Sequence, residues 1–365
     1  MDRRDFIKST GVAAAAIATG TTTAVAQPAI APSPAAPAIH AAPAVRELRV
    51  ASAWPQTGRG FDDSAHRLAQ AISTLSGGRY RLTLSPSQDG LGALISGEAD
   101  LYHGPGHDFL ALDRAFAFFA GLPGQAAIRP TYLNAWLMAA GGQSLWDDLS
   151  APHGFKPFFA GHSGARAKLW SRTPIASLAD LQGRRIAASG LSADVVRELS
   201  AEPVTLHPAD LAAALADGRV DAVEWGGTIA AFGCDLHRHA RHSLRPGLSR
   251  SGFTAVLAVR SPIWSSMSAV DQAVFAAAAS QELNTVVAES LSASARLRAA
   301  FSEREGISFG PMPPDVMAAA SNAAARAVAA VASASAQAAR IHASYTAFRS
   351  ALPTPRRKRP DAPVA

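Results

Sequence analysis

The chain is expected to fold as α/β, in two lobes around a cleft, with long helices toward its C-terminus. Three observations point there. Short alternating strands trade places with helices at close spacing early in the chain. The same strand–helix–strand rhythm returns between residues 185 and 225. From Pro262 onward the chain is Ala-rich, with few strand formers. A length of 365 residues suits two domains at about 150 residues each.

The composition agrees: 48% hydrophobic and 17% charged residues make the chain too apolar to be disordered, and 28 Gly with 24 Pro exclude an all-helical rod. A single cysteine, Cys234, excludes an internal disulfide framework and any site that needs several thiolates. The formal charge of +6 first suggests a nucleic-acid partner. Its excess sits at the ends, however, in Arg3, Arg4 and Lys8 and in Arg356, Arg357, Lys358 and Arg359. The body between them has an ordinary mixed surface, and no nucleic-acid partner is expected.

At the front, Arg3-Arg4-Asp5-Phe6-Ile7-Lys8 precedes the mildly apolar run Gly11 to Ala18 and an Ala24-Val25-Ala26 cleavage site. This is the order of a secretory signal, and the paired arginines resemble a twin-arginine address, which sends the chain to the periplasm. The run is too short and too rich in Ala and Thr to span about 30 Å of hydrocarbon. Residues 27–46, mostly Ala and Pro, read as a tether.

In the body, Glu47–Trp54 reads as a strand, Asp62–Leu75 as a helix stopped by Gly77-Gly78, and Arg79–Leu84 as a second strand. Gly90–Ser96 is a short helix leading to a strand at Asp100–Tyr102, and Gly104-Pro105-Gly106 reads as a turn. Later come a strand at Arg185–Ala188, a helix at Ala193–Leu199 and a strand at Val204–Leu206. A helix capped by the Asp210 carboxylate follows, and then a strand at Val220–Trp225. Asp271–Leu291 and Pro314–Arg349 are expected as long helices. Residues 47–160 then form mainly the first lobe, 161–261 mainly the second, and 262–351 helices packing across both. Residues 352–365 are a disordered basic tail.

No nucleophile elbow, zinc-protease motif, phosphate loop or dinucleotide fingerprint is present, so an enzyme is not expected. Cys234, His237, His239 and His242 cluster in a stretch that reads as helical. Their spacing does not put a pair of ligands on one face, and a solvated, weakly basic surface is expected there. Glu224-Trp225 is more informative. It closes an apolar strand, is followed at once by Gly226-Gly227, and falls where parallel sheets bind ligands, beyond a strand's carboxyl end.

Several strings together resemble the substrate-binding proteins of TRAP (tripartite ATP-independent periplasmic) transporters, in the branch that binds α-keto acids. They are Ala51-Ser52-Ala53-Trp54-Pro55, Leu75-Ser76-Gly77-Gly78-Arg79, Ala115-Phe116-Ala117-Phe118-Phe119, Asn134-Ala135-Trp136, Gly141-Gly142-Gln143-Ser144-Leu145-Trp146 and Val220-Asp221-Ala222-Val223-Glu224-Trp225. They run in order over nearly the whole mature chain. The resemblance implies a periplasmic-binding-protein-like fold, closure over a small organic anion, and delivery to TRAP membrane subunits. It implies that the Glu-Trp pair, here Glu224 and Trp225, helps hold a metal cation bridging to the ligand's carboxylate. Some members dimerise by exchanging a terminal helix, which the long helix ending near Arg349 would suit as a homodimer contact.

Against that pattern, Arg166 stands where the family has a cation-assisting Gln, and Arg250 stands at a second acidic ligand's position. Ala187 replaces the carboxylate-clamping Arg. His107 and Asp108 occupy aromatic positions of the cleft, beside Trp54 of the first loop, and Ser87-Gln88-Asp89-Gly90 is shortened. A cation does not share a site favourably with two guanidiniums. The expectation is therefore that Arg166 or Arg250 meets the anion directly, with Glu224 as counter-ion and no certain cofactor. The alternative is a periplasmic sensor or scaffold subunit with a diverged pocket.

Overall fold

The computed structural model describes residues 45–164, 168–249 and 252–353. The expected signal, nearly all of the tether and the tail from residue 354 lie outside the described residues. Eleven strands are described: β1 Arg46–Ser52, β2 Tyr80–Pro86, β3 Leu101–Pro105, β4 Phe155–His162, β5 Lys168–Ser171, β6 Arg185–Ala187, β7 Glu202–Val204, β8 Ala222–Trp225, β9 His242–Arg245, β10 Thr254–Arg260 and β11 Ser308–Pro311. They form two sheets, ordered β2-β1-β3-β10-β4 and β11-β9-β5-β8-β6-β7. Helices cover both, giving the α/β, two-lobed architecture.

The first sheet is parallel through β2, β1 and β3, and then turns antiparallel at β10. The helix Phe61–Leu75 turns Ala65, Leu68 and Ile72 inward, and Leu68 and Ile72 meet Leu48, Val50, Leu101 and Leu257 of this sheet. On the opposite face Phe119 stacks between Trp136 and Trp146, with centroids 5.3 and 5.1 Å away. The second sheet is parallel through β7, β6 and β8, while β5 runs antiparallel to β8 and β9. Trp170 and Val223 pack on one of its faces. Leu169, Ile186 and Ala222 pack on the other, against Ala320, Ala323 and Ala324 of the helix Pro314–Ala332.

The chain crosses between the sheets after β4, before β10, and along a 37-residue helix, Ala269–Glu305. That helix packs on β4 and Phe61–Leu75 of the first lobe and on the helix Thr228–Gly233 of the second. It outruns the expected end at Leu291 because no breaker intervenes before Gly306, a left-handed stop at φ 66°.

Several expectations are corrected. Gly104 and Pro105 are not a turn but the end of β3, paired with Val256 and Ala255. The strand expected at Val204–Leu206 is Glu202–Val204, because β6 offers ladder partners to those three residues and none beyond. The Asp210 carboxylate makes no capping bond, whereas His207 Nδ1 accepts from the Ala209 amide at 3.3 Å. Pro314–Arg349 is two helices, Pro314–Ala332 and Ala336–Ser350, since the Ser335 hydroxyl accepts from the Ala338 amide at 3.0 Å and starts a new helix. The last helix folds back on its own chain, burying Ala338, Ile341 and Tyr345, and the Tyr345 hydroxyl donates to the Ala126 carbonyl at 2.7 Å.

Candidate functional site

Strand β8 is buried along its whole length, so alternation carries Val223 and Trp225 to one face and Ala222 and Glu224 to the other. Glu224 is 6% exposed. Its carboxylate is collared by the loop after β9: Oε2 accepts from the Leu248 amide at 3.1 Å, and Oε1 from the Ser249 amide and hydroxyl at 2.9 and 2.7 Å. The loop comes this close because residue 247 is glycine; a Cβ there would stand 2.5 Å from Oε2. Burial pushes the Glu224 carboxyl above its ordinary range, and the donors from Ser249 and Leu248 pull it back.

Trp225 belongs to an aromatic wall. Its ring lies 4.6 Å from Phe253 and 6.2 Å from His107, edge-on, and His107 meets Phe253 at 5.6 Å. Behind Phe253 lie Trp54, at 6.1 Å, and Phe61, stacked on Trp54 at 4.7 Å. Trp54 is fully buried and donates through Nε1 to His103 Nδ1 at 2.8 Å, so it backs the wall without lining the cavity. Burial pushes the His107 imidazolium below its ordinary range against the opposing charge of Asp108. Asp108 accepts the hydroxyl of buried Tyr102 and lies outside the lining.

Glu224, Trp225, Phe253 and His107 line a cavity of about 50 Å³. Its lining includes His107 and Leu110 from the first lobe, with Ser189, Ser192, Glu224 and Trp225 from the second, and Ser249 and Phe253 from the crossing segments. One water needs about 10–15 Å³ of such space, so the room suits only a small ligand. Sequence reasoning missed Ser189, Ser192, Ser249 and Phe253. Nothing in their local pattern marks them, and they converge only through the crossing of distant segments. Gly226-Gly227, noted after the Glu-Trp pair, is that crossing: the Gly227 amide donates to the Ser163 carbonyl at 2.6 Å, where a Cβ would clash.

Arg166 and Arg250 lie outside the described residues. Ser249 and Gly252, the described neighbours of Arg250 in sequence, both line the cavity. Ala187 is buried within β6. The Cys234–His242 stretch is neither one helix nor a solvated face. A short helix ends at Gly233, a 3-10 turn and β9 follow, and Cys234 and His237 are buried. His237 stacks on Phe301 at 4.5 Å, and burial pushes the Cys234 thiol up to about 12. Among the described residues, no group of three or more His, Cys, Asp or Glu side chains could hold a metal ion.

Among the described residues, two ion pairs link the lobes. Arg59, before the first helix, donates to both oxygens of Asp235 at 2.8 and 2.9 Å, beside a Thr57 hydroxyl bond to the Gly233 carbonyl at 2.9 Å. In the other, Arg114 pairs with Asp194. No helix among the described residues is long and apolar enough to cross a membrane.

The model of the bacterial extracellular solute-binding protein family 7 matches residues 61–334, and that of the twin-arginine translocation signal matches residues 1–20. A monocarboxylate 2-oxoacid-binding periplasmic protein of a Nostoc strain is 26% identical over 233 residues, 62% of this chain and 63% of its own length. The chain thus spans under two thirds of that curated relative. A TRAP solute-binding protein from Bordetella bronchiseptica superposes with a TM-score of 0.79 at 21% identity, covering 85% of this chain and 93% of that one. It was solved as a dimer of mixed occupancy with copurified calcium and picolinate. One from Pseudoalteromonas atlantica, with bound sodium and pyruvate, superposes at 0.77 and 21% identity, over 84% and 94%.

Proposed function

Since the chain belongs to family 7 of the bacterial extracellular solute-binding proteins, we propose that it captures a small carboxylate between its two lobes and hands it to TRAP membrane subunits. It works in the periplasm, exported by the twin-arginine route. The observation that carries this reading is the cavity of about 50 Å³ at the carboxyl end of β8, lined from both lobes. Its size favours an acid of a few heavy atoms. The aromatic wall of Trp225, Phe253 and His107 would cover the apolar part, and Ser189, Ser192 and Ser249 offer hydroxyls to the polar part.

The positive charge that holds the carboxylate comes, in this reading, from Arg166 or Arg250, with Glu224 as the counter-ion. A hard divalent cation asks for about six to eight oxygen ligands. Among the described residues the lining supplies one carboxylate, and its two oxygens already accept three hydrogen bonds from Leu248 and Ser249. A single carboxylate already engaged in this way gives a cation little charge to balance its own, which supports arginine in its place.

Isothermal titration of the purified protein in sodium-free buffer with pyruvate, 2-oxobutyrate, pyroglutamate and a larger sugar acid, with and without chelator, tests both statements. Binding of a small acid at unchanged affinity in chelator is expected. Loss of binding in chelator would overturn the role of arginine, and no binding to any acid would overturn the receptor itself.

A further inference from the structure

A second hollow, of about 910 Å³, opens beyond the Gly226–Gly227 crossing: Gly226 lines the first cavity and Gly227 this one. Three cations from three elements reach it, Lys168 at the start of β5, Arg245 at the end of β9, and Arg298 on the 37-residue helix. The Lys168 ammonium donates to the Thr228 hydroxyl, and among the described residues none of the three has a carboxylate in ion-pair reach. Lys168 and Arg298 are half-buried and Arg245 is exposed, and several other half-buried cations are paired. Arg59 and Arg67 each hold carboxylates, as does Lys156. Burial, then the charges of Arg298 and Arg245, hold the Lys168 ammonium down to about 8. Like charges gathered without a counter-ion repel, and an arriving anion relieves that repulsion.

We propose that this hollow is a second anion site, taking a small oxyanion of two or more negative charges between Lys168, Arg245 and Arg298. A single charge would leave most of the cluster uncompensated. Two or three charges match it, and the planar guanidiniums offer paired donors to phosphate or carboxylate oxygens. Thr228, Ser290 and Ser294 add hydroxyls, while Leu291 and Phe309 supply an apolar flank. The site does not depend on what fills the first cavity, since none of the three cations lines that cavity.

Calorimetric titration of the purified protein with inorganic phosphate and with citrate, at ionic strength held constant with sodium chloride, tests it. Saturable binding is expected for both, weakened about tenfold or more by Lys168→Met and by Arg298→Gln. Affinity for a monocarboxylate should not change in either variant. An equal response to chloride alone, or parental phosphate affinity in both variants, overturns the proposal. Should Lys168→Met fail to fold, Arg298→Gln decides, because that side chain is only half-buried on a helix surface. Loss of monocarboxylate binding with phosphate binding intact would count against the receptor reading and not against this site.

Discussion

Glu224 carries opposite consequences under two chemistries. If a cation bridges it to the ligand, Glu224→Gln should cost more than about a hundredfold in affinity, roughly 2.7 kcal/mol. With arginines as the anchor, the same change removes a negative charge near the bound anion, and affinity should stay within about tenfold. Titration of that variant separates the two, and a hundredfold loss would retire the arginine mechanism. Gly247→Ala is expected to push the collar off the carboxylate and to destabilise the fold by about 2 kcal/mol, read from denaturant midpoints. Two buried histidines set the acid limit. Burial lowers His103 to about 3 and His162 to about 4, both from 6.5. The unfolded chain takes up these protons near pH 6.5 while the folded protein refuses them. Stability is therefore full above pH 6.5 and falls as pH drops from there toward 4 and 3, by on the order of 3 kcal/mol for His162 and on the order of 5 kcal/mol for His103. Urea melts between pH 7 and 4 should show the slope, and His162→Asn, which keeps an acceptor for the Gly164 amide, should flatten it.

Among the elements, the helix Ala269–Glu305 has the widest reach. Ala288 sits on its exposed side, so Ala288→Pro breaks the ladder without disturbing the core and should cost about 3 kcal/mol in a thermal or urea melt. A loss below about 1 kcal/mol would mean that the helix joins the lobes only loosely. How far such elements were legible depended on what their sides face. The helix Gly90–Ser96, with Asp89 accepting from the Gly92 amide at 2.8 Å, carries its own start and stop signals and was read to the residue. Strands β4 and β10 went unread because they are buried on both faces, which erases the alternation that marks a strand. The Ala-rich end hid its break for a similar reason: Ser335 differs little from its neighbours until its hydroxyl finds an amide. At the site, Glu224-Trp225 announced itself by ending an apolar strand before two glycines. Phe253 and Ser249 reach the cavity through a fold-back that local sequence does not encode.

At the scale of the molecule, two ion pairs among the described residues link one lobe to the other. Asp194→Asn removes the partner of Arg114, and as a partly exposed pair it should change stability by less than about 1 kcal/mol. Ligand release measured by stopped flow should nonetheless quicken several-fold, and added salt should mimic the variant in the parent protein. Equal release rates at low and high salt would show that these pairs do not hold the lobes shut. The first sheet carries a different consequence. Its order places β10, residues 254–260, between β3 and β4, so the sheet stays split until that strand arrives. A fragment ending at residue 162 should thus show no cooperative melt. During synthesis, β3 and β4 lack the partner that joins them until Arg260 has cleared the ribosome, so the first lobe closes only after most of the second has been made.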